Sequence, residues 1–197
     1  MRYLVSCLLL FAAVGPAHAG PPTLKDANER LLRGNYAEAR GLFEAAAKQN
    51  KVVAAIGINR AWQSEGQYDK ALAVLDAALK DEPANADLLA HRAELLFLRG
   101  RWEDAEKAVQ ASLKQDKDQF LSHWVLAQLY RDRGDFKKSG EELLWFIRTY
   151  AKQGDNIRDP DQLLLVCRAE LERARGDKRL VEQFDVVLND LLTPLGK

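Results

Sequence analysis

The stretch Gly66-Gln67-Tyr68-Asp69-Lys70-Ala71 decides the fold, because the same pattern occurs four times along the chain. Each copy has a glycine, a polar residue, an aromatic residue, two polar or small residues, and then alanine or serine. The four glycines lie 32, 34 and 34 residues apart, and aromatic residues make up only 8% of the chain. Four such matches in register therefore indicate an internal repeat. The other copies are Gly34-Asn35-Tyr36-Ala37-Glu38-Ala39, Gly100-Arg101-Trp102-Glu103-Asp104-Ala105 and Gly134-Asp135-Phe136-Lys137-Lys138-Ser139.

Each position of the pattern has a physical reason. A glycine adopts the left-handed conformation that ends a helix without a Cβ clash. We expect the aromatic residue to pack across the turn into the preceding helix, and the small residue five places after the glycine to let two helices approach closely. Helix, glycine turn and helix together form a hairpin that can stack on its neighbours.

The sequence between the glycines supports this interpretation. Two amphipathic runs with helical spacing separate each pair of glycines, and Pro83 follows the second run of its unit, where a proline ends a helix. No alternating pattern typical of a strand has useful length. The sequence predicts an all-α protein made of helical hairpins.

With these residues the chain resembles tetratricopeptide-repeat (TPR) proteins, whose repeat is a pair of helices of 34 residues. The resemblance covers residues 20–150 as four TPR-like repeats, and it is clearest in the second. It implies a right-handed superhelical solenoid with a concave groove, lined by the first helix of each hairpin, that receives a peptide or a helix. Two positions depart from the family pattern: Arg92 stands where leucine is usual, and Lys117 where proline is usual.

The resemblance also predicts which side chains face the groove. Counting from the repeat glycines, the protein-binding candidates are Arg60, His91, Glu94, Trp124, Gln128 and Arg131, with Gln63 and Asp87 beside them. Trp124 has two interpretations. It is either a binding anchor, as large aromatic residues often are in interfaces, or a packing residue between repeats. The mixed charges of these positions argue against a strongly basic or acidic ligand.

Residues 1–19 have the pattern of a secretory signal peptide. Arg2 precedes an apolar run that ends before Gly15, and Ala17-His18-Ala19 provides the small residues of a cleavage site. We expect cleavage after Ala19 and a periplasmic or secreted protein with no stable membrane span. Once the leader and its Cys7 are removed, only Cys167 remains, so no internal disulfide can form.

Residues 151–197 predict a divergent C-terminal hairpin. Helices are expected at about 160–175 and 178–192, on either side of Gly176. The last helix is unusually apolar, with Phe184 and Leu188 among its residues. Because a terminal repeat should present a polar outer face, this helix suggests self-association, another partner, or a continuation of the chain.

No catalytic, cofactor-binding or metal-binding pattern is present. The 29 basic and 29 acidic residues balance, which disfavours nucleic acid as a partner. His91 and His123 each stand alone on a helix, without a second ligand at metal-binding spacing. The repeat glycines are explained by the turns, and no phosphate-binding loop is found.

Two functions remain open from the sequence. The leading hypothesis is a non-enzymatic scaffold in the cell envelope that binds a protein or peptide in the groove. The alternative is the recruiting end of a longer exported enzyme, such as a peptidase or hydrolase. The apolar last helix motivates that alternative.

Overall fold

The fold consists of helical hairpins throughout the part of the chain that can be described. The computed structural model describes residues 22–152 together with residues 165, 166, 168 and 169. Within them it contains no strand, which confirms the all-α prediction. The helices are α1 (Leu24–Leu32), α2 (Tyr36–Ala46), α3 (Lys51–Ser64), α4 (Tyr68–Asp81), α5 (Ala86–Leu98), α6 (Trp102–Gln115), α7 (Phe120–Asp132) and α8 (Phe136–Lys152).

A glycine closes each of the four hairpins, as predicted. Gly34, Gly66, Gly100 and Gly134 all have a positive φ, between 72° and 79°. At the second turn the backbone N–H of Gly66 donates to the carbonyl of Gln63, and that of Gln67 donates to the carbonyl of Trp62. These two bonds form the Schellman motif, which satisfies carbonyls at the end of α3. At the other end of each hairpin, a side chain caps the first helix: Thr23, Asn50, Asn85 and Gln119 accept the capping hydrogen bonds.

The small residues of the repeat lie where the two helices of a hairpin meet. Ala39, Ala71 and Ala105 have no exposed surface. Ser139 takes their place in the fourth hairpin, where its Oγ donates a 2.8 Å hydrogen bond to the carbonyl of Ala127. The serine is tolerated there because its hydroxyl has a partner.

The expectation for the repeat aromatics was wrong for three of the four. Tyr36 is half-buried, but Tyr68, Trp102 and Phe136 are 37%, 45% and 72% exposed. Each aromatic is the first residue of its second helix, beyond the point at which the preceding helix ends. Tyr36 shares this position, so the position in the repeat does not by itself determine how exposed the ring is.

The first helices lie on the inner side of a curved array. Among the described helices, α1 contacts α3, α3 contacts α5, and α5 contacts α7, whereas the second helices α2, α4 and α6 do not contact one another. Elements that touch on one side and separate on the other form a curved stack, with the touching helices inside. The described part is therefore a helical repeat solenoid whose inner face is built by the first helices.

The unusual Arg92 is explained by its partner. Its Nε donates a 2.7 Å hydrogen bond to Oδ1 of Asp76, which joins α5 to α4 of the preceding hairpin. The charge thus has a local acceptor at a position where an apolar residue was expected.

Several predictions fall outside the described residues. They are the leader of residues 1–19 with Cys7, the residue Cys167, and the apolar last helix with Phe184 and Leu188. Residues 165, 166, 168 and 169 are helical, as predicted for this segment, and Val166 and Ala169 are buried in one cluster with Phe120 and Ala127 of α7. Within the described residues, no helix combines the length and apolarity needed to cross a membrane.

Candidate protein-binding groove

A groove with a volume of about 970 Å³ runs along the inner side of the array. The four first helices provide most of its walls, and the two aromatic residues that begin α2 and α4 add to them. We call it the inner groove. It is lined by Asn28, Leu31, Leu32, Tyr36, Val53, Ile56, Gly57, Arg60, Gln63, Ser64, Tyr68, Asp87, His91, Glu94, Asp116, Asp118, Gln119, Phe120, Leu121, Leu165 and Arg168.

The end of the groove formed by α1 and α3 is apolar and accessible. Leu32 is 87% exposed, Val53 38% and Tyr68 37%. Within the described residues, only three other large hydrophobic side chains are comparably exposed, and these do not line the groove. We call Leu31, Leu32, Tyr36, Val53, Ile56 and Tyr68 the apolar end.

A partly buried polar group occupies the middle of the groove, where α3 faces α5. Glu94 lies between Arg60, Gln63 and His91, and its Oε2 is 3.8 Å from Nδ1 of His91. Burial of Glu94 would raise the pKa of its carboxyl group, but the polar and charge interaction with His91, with smaller contributions from Arg60 and Gln63, lowers the pKa below its ordinary value. Glu94 is therefore ionised at neutral pH.

The end of the groove near α7 is acidic. Asp87 lies in the first turn of α5, while Asp116 and Asp118 lie in the turn between α6 and α7, and all three are exposed. Nε2 of Gln119 donates a 3.2 Å hydrogen bond to Oδ1 of Asp87, which holds the turn against α5. We call these three aspartates the acidic end. Arg168 also lines the groove and is the one basic residue there besides Arg60 and His91 among the described lining residues.

The structure brings together some of the predicted groove residues but not all. Arg60, Gln63, Asp87, His91 and Glu94 line the inner groove, as the family resemblance implied. Trp124, Gln128 and Arg131 are not among its lining residues. Their role in binding a partner stays a prediction.

The surroundings of these three residues show why the groove does not include them. Trp124 is partly buried against a cluster that contains Phe120, Leu143 and Val166. Gln128 is only 7% exposed, and Nε of Arg131 forms a 3.1 Å ion pair with Oδ1 of Asp132. The contacts of Trp124 are those of a residue that packs between repeats.

The groove also contains residues that sequence reasoning missed, namely Leu32, Val53, Tyr68, Asp116 and Asp118. A signal for one of them was present. Val53 and Leu121 occupy the same repeat position as Asp87, since each lies 34 residues from it. The two aspartates of the turn have no such signal, because the equivalent residues of the preceding repeat, Glu82 and Ala84, do not line the groove.

His123 is part of a structural cluster outside the groove. Its ring stacks on Trp145 of α8 at 3.7 Å between centroids, and its Nδ1 is 2.6 Å from Oε2 of Glu142. Its Nε2 is 2.9 Å from the carbonyl oxygen of Lys117, which can only accept a hydrogen bond, so Nε2 is the donor. These contacts tie α7 to α8 and to the turn before it.

No metal site is found in the described residues. Over residues 22–152 and the described positions of 165–169, no three His, Cys, Asp or Glu side chains come together as ligands of a metal ion would. The polar residues of the groove are therefore interpreted through hydrogen bonds and charge.

Comparison with known proteins agrees with this fold. The tetratricopeptide-repeat profile matches residues 63–129. MamA from Desulfovibrio magneticus RS-1 is similar in structure, with 20% identity and a TM-score of 0.53 over 67% of this chain and 76% of that protein. TTC0263, a thermophilic TPR protein of Thermus thermophilus, has 20% identity and a TM-score of 0.54 over 75% of this chain and 79% of its own.

A tetratricopeptide-repeat protein from Parabacteroides merdae ATCC 43184 covers 86% of this chain and 65% of its own, with 15% identity and a TM-score of 0.50. No curated protein matches the chain. The matched profile and the four glycine-closed hairpins show that the chain is similar to tetratricopeptide-repeat proteins and has their helical repeat fold.

Proposed function

We propose that this protein is a non-enzymatic scaffold that binds a peptide segment of a partner protein in the inner groove. The observation that carries the proposal is the convergence of Leu32, Val53 and Tyr68, all exposed, on one groove. Exposed apolar side chains that share one surface are the usual mark of a protein-interaction site. The groove is also long and open enough for a chain segment to lie across several hairpins.

Glu94 does not have the electrostatics of a general acid or base. A carboxylate that acts as a general acid or base near neutral pH needs a raised pKa, close to the working pH. The pKa of Glu94 is instead lowered by its interaction with His91 and by other nearby charge. Its interactions with Arg60, Gln63 and His91 fit a residue that stabilises the wall of a binding site.

We also propose that the protein acts in the cell envelope or outside the cell. This part rests on the leader pattern of residues 1–19. Intact-mass analysis of the protein recovered from the envelope or the medium should show a chain that begins at Gly20. A mass that retains Met1, or a chain lipidated at Cys7, would contradict this placement.

Site-specific photocrosslinking tests the binding surface. A photoreactive residue at Val53, at the apolar end, should crosslink a partner protein when the chain is expressed in its native cells. The matched control is the same photoreactive residue at Gln110, which is exposed on α6 and does not line the groove. If Val53 gives no crosslinked product, or if Gln110 gives the same products as Val53, the groove is not the binding surface.

A further inference from the structure

We infer that the inner groove selects a segment with apolar side chains at one end and basic side chains, lysine or arginine, at the other. The inference rests on the proposed function and adds to it the chemistry of the partner. Residues of mixed charge were expected along the groove, but the structure separates them. The exposed apolar residues belong to α1, α3 and the start of α4, and the three exposed aspartates belong to α5 and the turn before α7. The apolar residues that line the groove near α7, namely Phe120, Leu121 and Leu165, are buried or partly buried.

The charges in the middle of the groove largely compensate one another. Glu94 interacts with both Arg60 and His91, so this part carries little net charge toward a ligand. The acidic end is different. In the described part of the chain, Asp87, Asp116 and Asp118 take part in no ion pair, although Lys117 lies between two of them in sequence.

Arg168 only partly offsets the acidic end. Three exposed carboxylates against one lining arginine leave a negative surface at this end of the groove. The carboxylates come from two separate elements, the start of α5 and the turn before α7, and the hydrogen bond from Gln119 to Asp87 holds these elements together. A basic side chain placed between them would interact with more than one carboxylate at once.

His91 lies in the middle of the groove, and one of its ring nitrogens is buried without a hydrogen bond. It is only 8% exposed and lines the groove between the two ends, yet its Nδ1 has no partner within hydrogen-bond distance, since Oε2 of Glu94 is 3.8 Å away. Buried polar groups are normally satisfied. Because this nitrogen is itself buried and faces Glu94, a closer approach of the Glu94 carboxylate when a segment occupies the groove would supply the missing hydrogen bond.

The spacing of the helices sets the length of the segment. Packed helices lie about 8–10 Å apart, so the path from Leu32 on α1 to Asp87 on α5 crosses two helix spacings and is about 20 Å. An extended chain advances about 3.3 Å per residue, which places the basic side chains about six residues from the apolar ones.

Fluorescence anisotropy tests the inference with a defined probe. The probe is a labelled peptide of about ten residues, by the same rise per residue, with leucines at one end, a Gly/Ser spacer and a pair of lysines at the other. The titration uses the full protein as it is purified from cells that express it. We expect saturable binding that weakens as salt rises, and about tenfold weaker binding when glutamates replace the lysines.

Protein variants assign the effect to the acidic end. Neutralising all three aspartates (Asp87→Asn, Asp116→Asn and Asp118→Asn) should weaken lysine-peptide binding about five- to tenfold and flatten its salt dependence. Asp118→Asn alone should cause a smaller loss in the same direction. Glu103→Gln, an exposed carboxylate of α6 outside the groove, is the matched control and should bind like the parent chain. Circular dichroism confirms that each variant is folded.

The outcomes separate the inference from the proposed function. Absence of binding by the lysine peptide, equal binding by the glutamate peptide, or unchanged affinity in the folded triple variant would each overturn the inference. If Val53 still crosslinks a partner in those cases, the groove remains the binding surface and only the charge preference is wrong. If Val53 captures nothing as well, the proposed function fails with it.

Discussion

The helices α3 and α7 occupy the same place in the second and fourth hairpins, but they present different surfaces. Val53 of α3 is 38% exposed, whereas Leu121, at the equivalent position of α7, is 8% exposed. Arg60 lines the groove, whereas the equivalent Gln128 is 7% exposed and does not line it. The same repeat position is therefore exposed in the second hairpin and buried in the fourth.

The neighbours of each helix account for the difference. Residues of α7 form one hydrophobic cluster with Trp145 of α8 and with Val166 and Ala169 of the following segment. The helix α3 instead packs closely on α2, because Gly57 leaves room for the ring of Phe43. A repeat position determines the direction in which a side chain points, while the elements packed beside it determine whether that side chain is exposed.

Trp124→Ala should have the largest effect on stability. It removes a large side chain from the cluster around α7, and we expect the free energy of unfolding to fall by about 3 kcal/mol. Urea denaturation followed by circular dichroism measures the change. Trp102→Ala is the matched control, because Trp102 is 45% exposed, and its effect should stay below about 1 kcal/mol.

The same Trp124 variant distinguishes the two interpretations of that residue. If the variant keeps its full stability but loses partner binding, Trp124 is a binding anchor and the comparison between α3 and α7 fails.

Gly57→Ala should have the next largest effect. A Cβ at this position would lie 2.2 Å from Cζ of Phe43, so α2 and α3 would have to separate. We expect a loss of about 2 kcal/mol, typical of overpacking. Gly41→Ala is the matched control within α2: no atom lies within 4 Å of the added Cβ, and the variant should be stabilised by about 0.5–1 kcal/mol.

A double-mutant cycle tests whether the contact between residue 57 and Phe43 causes the loss of stability. Phe43→Leu should recover part of the loss in the Gly57→Ala background, because the smaller side chain leaves room for the Cβ. Additive losses in the double variant would show that the contact between the two residues is not the cause.

Asn59→Ala should stabilise the protein by about 1 kcal/mol. Asn59 has no exposed surface, and neither polar atom of its side chain has a hydrogen-bond partner. Burying polar atoms without hydrogen bonds costs about 1–3 kcal/mol of stability, and Asn59→Ala removes this cost. The small cavity that alanine leaves offsets part of the gain. The equivalent positions already hold alanine with no exposed surface, at Ala27, Ala93 and Ala127.

The reverse change tests the same reasoning in α7. Ala127→Asn would place an unsatisfied amide in the covered hairpin and should lower the melting temperature. A destabilised Asn59→Ala, or an Ala127→Asn variant as stable as the parent, would be inconsistent with the argument.

Glu94→Gln should have the smallest effect at neutral pH, below about 1 kcal/mol, and is best detected through its pH dependence. A carboxyl group whose pKa is lowered in the folded state contributes stability above its ordinary pKa of 4.5, and this contribution is lost as the pH falls through the lowered value. The parent chain should therefore lose more stability than Glu94→Gln when both are acidified below pH 4.5.

Gln128 provides the natural comparison for Glu94, because it holds the neutral side chain at the equivalent position of α7. Denaturation curves of the parent and the variant at a series of pH values measure the difference. Parallel stability profiles for the two chains would show that Glu94 does not contribute in this way.

The repeated pattern was enough to predict the helices. It predicted only some of the residues that line the inner groove. The glycine turns and the helix type follow from local residues, and Gly66 with its two hydrogen bonds behaves as its position indicated. Trp124 could not be placed from sequence, because its surroundings include Val166, which lies beyond the fourth hairpin, and the ring of Trp145 on α8, a position that the repeated pattern does not cover. The repeat aromatics were misjudged because their exposure differs between repeats although their position in the repeat is the same, as the half-buried Tyr36 and the exposed Phe136 show.

The sequence by itself determined the local structure: a left-handed glycine, capped first helices, and buried small residues at fixed spacing. These features depend on residues close together in the chain, so a single repeat contains the information. The tertiary structure alone decided which side chains remain exposed on the inner face, because curvature and the packing of neighbouring helices control access. For the same reason it alone separated the apolar end from the acidic end, bringing Asp87 next to a turn that begins 29 residues later with Asp116.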